Sequence, residues 1–315
     1  MPAGTSSFRE LAFHEWVRRG SLRGRGVRIG IGDDAAVLEF ESGSLLATSD
    51  SLVEGVHFLP GTRPRSAGRK AILRALSDIA AMAGVPRFAL LSIVVPPAWS
   101  ASAVRGFVEG FRAGARRFGV PLVGGDAACG RGPFVASVAL LGECGPRGPI
   151  LRSGARAGDL LLCTGTLGGS SLGRHLLFVP RLREALALAR LVPVHAAIDV
   201  SDGLALDLHR ICRASGIGAV LFEEAIPISE AARRLSRKSG RPPLLHALGD
   251  GEDYELLFAL STRAASRVRG VNALRGLRVI GGFGGTGVRL RRRDGTERKV
   301  PAVGWEHGRG GTGRR

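Results

Sequence analysis

The stretch "GIGDDAAVL", residues 30–38, opens with a tight Gly-Ile-Gly turn, sets two aspartates side by side, Asp33 and Asp34, and runs on into apolar residues. In outline it fits G-x-G-x-x-A, the glycine loop of a dinucleotide-binding βαβ unit. Two features oppose that reading: a pyrophosphate would face two carboxylates, and the residues after the loop are strand-like instead of helical. Two carboxylates a few ångströms apart repel by about 1 kcal/mol in water, and by more as the site dries out. A surface loop tolerates that, whereas a site for a multivalent cation requires it.

The elements around this loop can be read outward from it. Residues 8–20 form an amphipathic helix ending at Gly20. "AAVLEF" and "SLLATS" are two strands joined by the turn "ESG". "SAGRKAILRALSDIAAMAG" (66–84) is a helix that Ser66 can cap and that Gly84 and Pro86 end. "FALLSIVVP" is a continuous apolar run, hence a buried strand. A second helix, "SASAVRGFVEGFRAGARRFG", and the strands "VPLVGG" and "FVASVALLGEC" come next. "GPRGPILRSGARAGD" is rich in Gly, Pro and Arg and marks a domain boundary near residue 148. Beyond it lie the strands "LLLCTG", "AAIDVS", "YELLFAL" and "LRVIGGF" and the helix "SDGLALDLHRICRAS", with Ser201 as its cap. Helices do not alternate one for one with strands, so two α/β halves with mixed or antiparallel sheets are expected. The organisation is therefore 1–148, 149–307 and a disordered tail, 308–315. "GFGGTG" (282–287) is again G-x-G-x-x-G, but "VRLRRRDGTERKV" after it reads as a hairpin.

Composition limits the function classes. The 315 residues carry a formal net charge of +18, with 45 basic residues. Only Lys70, Lys238 and Lys299 are lysine, so 42 of the 45 are arginine. The arginines are scattered, with a modest excess in the last 27 residues, and there is one Tyr and no basic stripe interleaved with aromatics. A nucleic-acid partner is therefore disfavoured, and an RNA-binding module is kept as the alternative from another class; it would show strongly salt-dependent RNA association and no ATP turnover. No apolar run reaches the roughly 18 residues of a membrane span. The N-terminal residues lack an apolar signal core, and the four cysteines form no C-x-x-C pair. Both points fit a cytoplasmic protein.

Acidic residues recur in one setting, after a strand and beside Gly, Ser or Thr: "GDD" (32–34), "TSD" (48–50), "GGD" (124–126) and "DVSDG" (199–203), with Asp78 inside a helix. Small neighbours let several carboxylates converge at little steric cost. Hard divalent cations take oxygen ligands, and Mg2+ characteristically binds through carboxylates plus substrate phosphates. Each aspartate alone fits an Asx turn, and Asp78 alone fits an i,i+4 pair with Arg74. Taken together, the set reads as several Mg2+ ions bridging a polyphosphate. His57 alone reads as a partly buried structural histidine, and Glu252 and Asp253 as a charged turn. No G-x-x-x-x-G-K-[ST] or protein-kinase motif set occurs.

"GIGDDAAVL", "ATSDSLVEGVHF", "ALSDIAAMAG", "VGGD", "LRSGARAGDLLLCTGTLGGS", "AIDVSDGL" and "GDGEDYEL" stand in the order and approximate spacing of the thiamine-monophosphate kinase family, across residues 30–258, with a weaker echo in "VGWEH". The chain thus resembles that family, which shares the fold of aminoimidazole ribonucleotide synthetase. The resemblance implies a homodimer of chains with an N-terminal α/β and a C-terminal α+β domain. It also implies conversion of thiamine monophosphate to thiamine diphosphate with ATP and Mg2+. Carried over position by position, it implies metal ligation by Asp33, Thr48, Ser49, Asp50, Asp78, Asp126, Asp199 and Asp202. It implies nucleotide contacts at Gly125, Asp126, Arg152 and Ser201, and substrate contacts at His57, Glu252 and Trp305. Three departures stand out: Gly169 where the family often has Asp, Asp250 where Gly is usual, and a shorter segment before "AIDVSDGL". Selenophosphate synthesis would be expected to use a cysteine near the N-terminus, and none precedes Cys129. A hydrogenase-maturation dehydratase would be expected to end in cysteine, where this sequence ends "TGRR".

Overall fold

The computed structural model describes residues 27–29, 33–40 and 43–306. The expected helix over 8–20, the Gly30–Gly32 turn and the tail 308–315 lie outside the described residues.

A six-stranded mixed sheet forms the first half: β1 (Val27–Ile29), β2 (Ala36–Phe40), β3 (Gly43–Val53), β4 (Val85–Val95), β5 (Leu122–Cys129) and β6 (Val135–Glu143), in the order β1-β2-β3-β6-β4-β5. The β4–β5 pair is parallel and the remaining pairs are antiparallel. Phe40 pairs with Gly43 at the hairpin read from "ESG". The two-residue period of β3 then sorts its side chains. Leu46 and Leu52 are buried on one face, with Thr48 and Asp50 between them on that face, while Ser49 is exposed on the other.

Helices α1 (Pro64–Ala81) and α2 (Ala101–Arg116) pack on each other. α1 begins at Pro64, so the expected cap Ser66 sits inside its first turn, where its N–H donates to the Arg63 carbonyl at 2.8 Å. Proline prevails at that position because its fixed φ and missing N–H suit the start of a helix. α2 is capped by Ser100, whose hydroxyl accepts from the Ala103 N–H at 3.2 Å. The two helices meet through glycines. A Cβ on Gly68 would fall 1.9 Å from the Phe107 carbonyl oxygen, and one on Gly110 would fall 2.0 Å from the Arg65 carbonyl oxygen. Backbone cannot yield as a side-chain tip can. Gly68→Ala should therefore destabilise the fold by about 2–3 kcal/mol or more, read as a lower urea midpoint at unchanged m value.

The apolar run of β4 departs from expectation. Ala89, Leu91 and Ile93 are buried, but Phe88, Leu90 and Val94 are exposed, as is Val123 on β5. One face of the sheet lies under the helices and the other is bare in a single chain, so a run apolar on both faces is only half covered.

The second sheet is seven-stranded and also mixed: β7 (Leu160–Cys163), β8 (Ala196–Asp199), β9 (Ala219–Phe222), β10 (Leu256–Leu260), β11 (Arg278–Phe283), β12 (Val288–Arg291) and β13 (Glu297–Lys299), in the order β13-β12-β9-β11-β7-β10-β8. Only β9 and β12 run parallel. "GFGGTG" leads into the antiparallel hairpin β12–β13, so no helix comes after its glycines. The accompanying helices are α3 (Leu182–Leu191), α4 (Leu204–Ser215), α5 (Glu230–Ser239), α6 (Pro243–Gly249) and α7 (Thr262–Val268). One apolar core joins Ile72, Leu76 and Ile79 of α1 to Leu182 and Leu188 of α3 and to Leu256 and Phe258 of β10. A second core lies within the C-terminal half. The shared core brings the loops that leave β8 and enter β10 against α1 and β3. No helix among the described residues is long and apolar enough to cross a membrane.

Candidate active site

At that junction lies a cavity of about 80 Å³, lined by Asp50, His57, Arg74, Asp78, Asp199, Ser201, Asp202, Glu252, Tyr254 and Trp305. Eight of these are residues singled out from sequence, and they come from five separate segments. Trp305 arrives from the C-terminal end because its N–H donates to the Asp202 carbonyl at 2.9 Å.

Carboxylate oxygens of Asp34, Asp78 and Asp199 lie within 4.8 Å of one another. Thr48 donates its hydroxyl to Asp78 at 2.6 Å, and Ser77 donates to Asp199 at 2.7 Å. Burial pushes the Asp78 carboxyl well above the ordinary range, and Asp50, Asp199 and Asp34 add to it. Burial, then Asp34 and Asp207, does the same to Asp199. Such groups ionise together only when a cation compensates them. The donors are all hard oxygens, which suits Mg2+ and not a soft metal.

The two opening aspartates divide the work. Asp34, absent from the sequence-derived ligand set, joins the cluster and takes a bidentate pair from Arg152, with Nε and Nη2 each at 2.9 Å. Asp33 accepts the Arg152 N–H at 3.1 Å, and burial, with Asp34 beside it, raises its carboxyl to about 6. Arg152, expected at the nucleotide, thus spends two nitrogens on Asp34. Asp78 does not make the i,i+4 pair with Arg74. Arg74 turns instead to Asp50, at 3.0 Å, and to the Ser51 carbonyl, at 2.6 Å.

Ser201 does not cap α4. The helix starts at Leu204 after Gly203, and Ser201 donates to Asp199 at 3.3 Å. The amides of Asp202 and Gly203 bond instead to the Asp207 carboxylate, at 3.0 and 3.1 Å, and Asp202 pairs with Arg210 at 2.5 Å.

Glu252 and Asp253 are buried, not a charged surface turn. Glu252 and Tyr254 hold φ of +56° and +51°, a left-handed backbone that costs non-glycine residues free energy and is concentrated at functional sites. Lys70, fully buried, was not singled out from sequence. Its ammonium donates to the His57 carbonyl, to His175 Nδ1 at 2.7 Å and to Glu252 Oε1 at 2.6 Å. Three acceptors around one point suit a tetrahedral ammonium and not a planar guanidinium. The signal was present: one of only three lysines in a chain whose other 42 basic residues are arginine. His57 Nδ1 accepts the Val53 N–H at 2.9 Å, which leaves Nε2 as the protonated nitrogen.

Two departures from the family pattern meet in space. The Gly169 N–H donates to Asp250 Oδ2 at 3.0 Å. A Cβ on Gly169 would sit 2.4 Å from the Ala232 nitrogen, so the carboxylate that anchors this loop comes from the facing loop.

Gly125, Asp126 and Ser49 are not brought to the cavity. Asp126 is exposed on the edge strand β5 and bonds to the N–H of Ala127 at 2.8 Å. It pairs with Ser92, which pairs with Ser137, which pairs with Ser51. Three strand steps of ~4.8 Å put its backbone about 14 Å from β3.

Comparison with known proteins accords with this geometry. Residues 32–144 match the AIR synthase related protein, N-terminal domain, and residues 153–269 match the AIR synthase related protein, C-terminal domain. Thiamine-monophosphate kinase of Rhodopirellula baltica is 44% identical over 84% of this chain and 88% of its own length. The solved structure of AaThiL complexed with AMPPCP and TMP superposes with a TM-score of 0.82 at 31% identity, covering 95% of this chain and 97% of that one. Thiamine monophosphate kinase from Aquifex aeolicus gives 0.74 at 30% identity, over 85% of this chain and 92% of that one. The chain belongs to the thiamine-monophosphate kinase family, within the AIR synthase related proteins.

Proposed function

We propose that the protein transfers the γ-phosphoryl group of ATP to the phosphate of thiamine monophosphate, giving thiamine diphosphate. The observation that carries this reading is the convergence of Asp34, Asp78 and Asp199 beside His57, Glu252 and Trp305. The relatives' names and a fold-mate holding AMPPCP and TMP support the substrates. Asp34, Asp50, Asp78, Asp199 and Asp202 would hold Mg2+. When bound, Mg2+ supplies charge neutralisation between two approaching polyanions.

The chain's own residues position the reactants. The cavity's lining of carboxylates and one arginine suits phosphoryl groups and ions. The acceptor is an ionised phosphate, so no strong general base is required, and orientation for in-line attack is the main task. Trp305 offers an aromatic face for the thiamine rings. Trp305→Ala should raise KM for thiamine monophosphate about tenfold, at near-constant KM for ATP, in steady-state assays. The function itself is tested by incubating the purified protein with ATP, Mg2+ and thiamine monophosphate. Formation of thiamine diphosphate is expected, and its absence would refute the proposal.

We take the halves to divide near residue 148, the protein to be cytoplasmic on its cysteine pattern, and the active form to be a homodimer. The bare face carrying Phe88, Leu90, Val94 and Val123 supports the dimer, since exposed apolar patches of this kind mark interaction sites. A partner sheet laid there would return Ser49 and Asp126 to an active site.

A further inference from the structure

We infer that Arg74 binds the acceptor phosphate of thiamine monophosphate; this rests on the proposed kinase reading. Arg74 lines the cavity, and its Nε is buried with no hydrogen-bond partner in the protein. Its other two nitrogens are fixed, Nη1 on the Ser51 carbonyl and Nη2 on Asp50, so the guanidinium is held in one orientation with its Nε–H unspent. A buried donor is costly to leave unsatisfied, which calls for an acceptor delivered by a ligand. Within a cavity that five carboxylates help to line, Arg74 is a permanent cation, and phosphate oxygen is the acceptor that matches a guanidinium in charge and geometry.

Position selects which phosphate. Arg74 lines the cavity together with Asp50, Asp78, Glu252 and Tyr254 and lies close enough to feel the charge of each. It therefore neighbours both the carboxylates proposed for the metal and the residues proposed for thiamine, His57, Glu252 and Trp305, and the acceptor phosphate must lie within reach of both groups. Its pairing with Asp50 means that the residue also holds a ligand candidate in place.

The test compares thiamine monophosphate with thiamine, which lacks the phosphate. Arg74→Gln removes the charge and both Nη atoms, leaving a neutral amide near the Nε position, and Arg74→Lys keeps the charge and removes Nε. At saturating Mg2+, Arg74→Gln should raise KM for thiamine monophosphate about tenfold or more, with KM for ATP within about twofold. Arg74→Lys should fall between it and wild type. Inhibition by thiamine should be unchanged in both variants, because that ligand offers Nε no phosphate oxygen. Circular dichroism and thermal melting establish that each variant is folded. Equal weakening of thiamine and thiamine monophosphate, or a change confined to ATP, in a folded variant would overturn the assignment. Wild-type protein that binds neither thiamine compound would instead refute the kinase reading itself.

Discussion

Asp78→Asn should lower turnover on the order of 10³-fold or more, equivalent to about 4 kcal/mol of transition-state stabilisation, and at the same time raise the melting temperature of the metal-free protein. The two effects share one cause. Asp78 is held against Asp34 and Asp199 with its ionised form disfavoured by burial and by neighbouring carboxylates. Asparagine still accepts the Thr48 hydroxyl but removes one charge from the cluster. The expected gain is at least ~1 kcal/mol, a few degrees of melting temperature. The gain should depend on pH with a definite sign. A carboxyl whose folded pKa is raised binds its proton more tightly folded than unfolded, so the wild type loses stability as pH rises above the ordinary carboxylate range. Asp33, raised to about 6, loses its proton across the same interval, from roughly pH 4 to 7, and adds to that loss in both proteins. The advantage of the variant should therefore open as pH rises through this window. Mg2+ with nucleotide should stabilise the wild type more than the variant, because binding linkage favours the form that keeps every ligand. A variant that melts lower than wild type at neutral pH without metal, or that keeps most of its turnover, would remove Asp78 from the site.

How far the sequence could lead is visible in which residues were found and which were not. Aspartates beside small residues were legible, since small neighbours leave room for others, but their placement after strands was not: Asp199 ends β8, whereas Asp50 lies within β3 and Asp126 within β5. The β2–β3 and β12–β13 hairpins were legible from their turns. The choice between adjacent Asp33 and Asp34 was not, because it depends on how a backbone N–H and a guanidinium of Arg152, 118 and 119 residues away, divide them. The partner of Arg74 was hidden for a related reason. Helical spacing offered Asp78 as its partner, but the side chain reaches across to β3, and tertiary geometry outweighs the few tenths of a kcal/mol of an i,i+4 pair. The run "FALLSIVVP" could not reveal which of its faces lacks cover, because apolar composition records burial without saying whether this chain or another supplies it.

That ambiguity leads to the second large prediction. If Asp126 serves a site, its position about 14 Å across the sheet from β3 requires that it serve the site of a second copy. Asp78→Asn and Asp126→Asn homodimers should each be inactive. Co-expressed with different tags and purified as the heterodimer, the pair should recover about half of the wild-type turnover per dimer. One of its two sites then combines an intact Asp78 with an intact Asp126 from the other chain, and the remaining site carries both lesions. Arrangement within a single chain gives the opposite result, because every site in the heterodimer would hold one lesion and turnover would stay at the level of the single variants. Charged substitution on the bare face, Leu90→Asp for example, should dissociate the dimer and silence the enzyme with the monomer still folded. Those results would give the apolar face of β4 and the distant carboxylate on β5 one explanation, a second copy that both covers the sheet and completes the site.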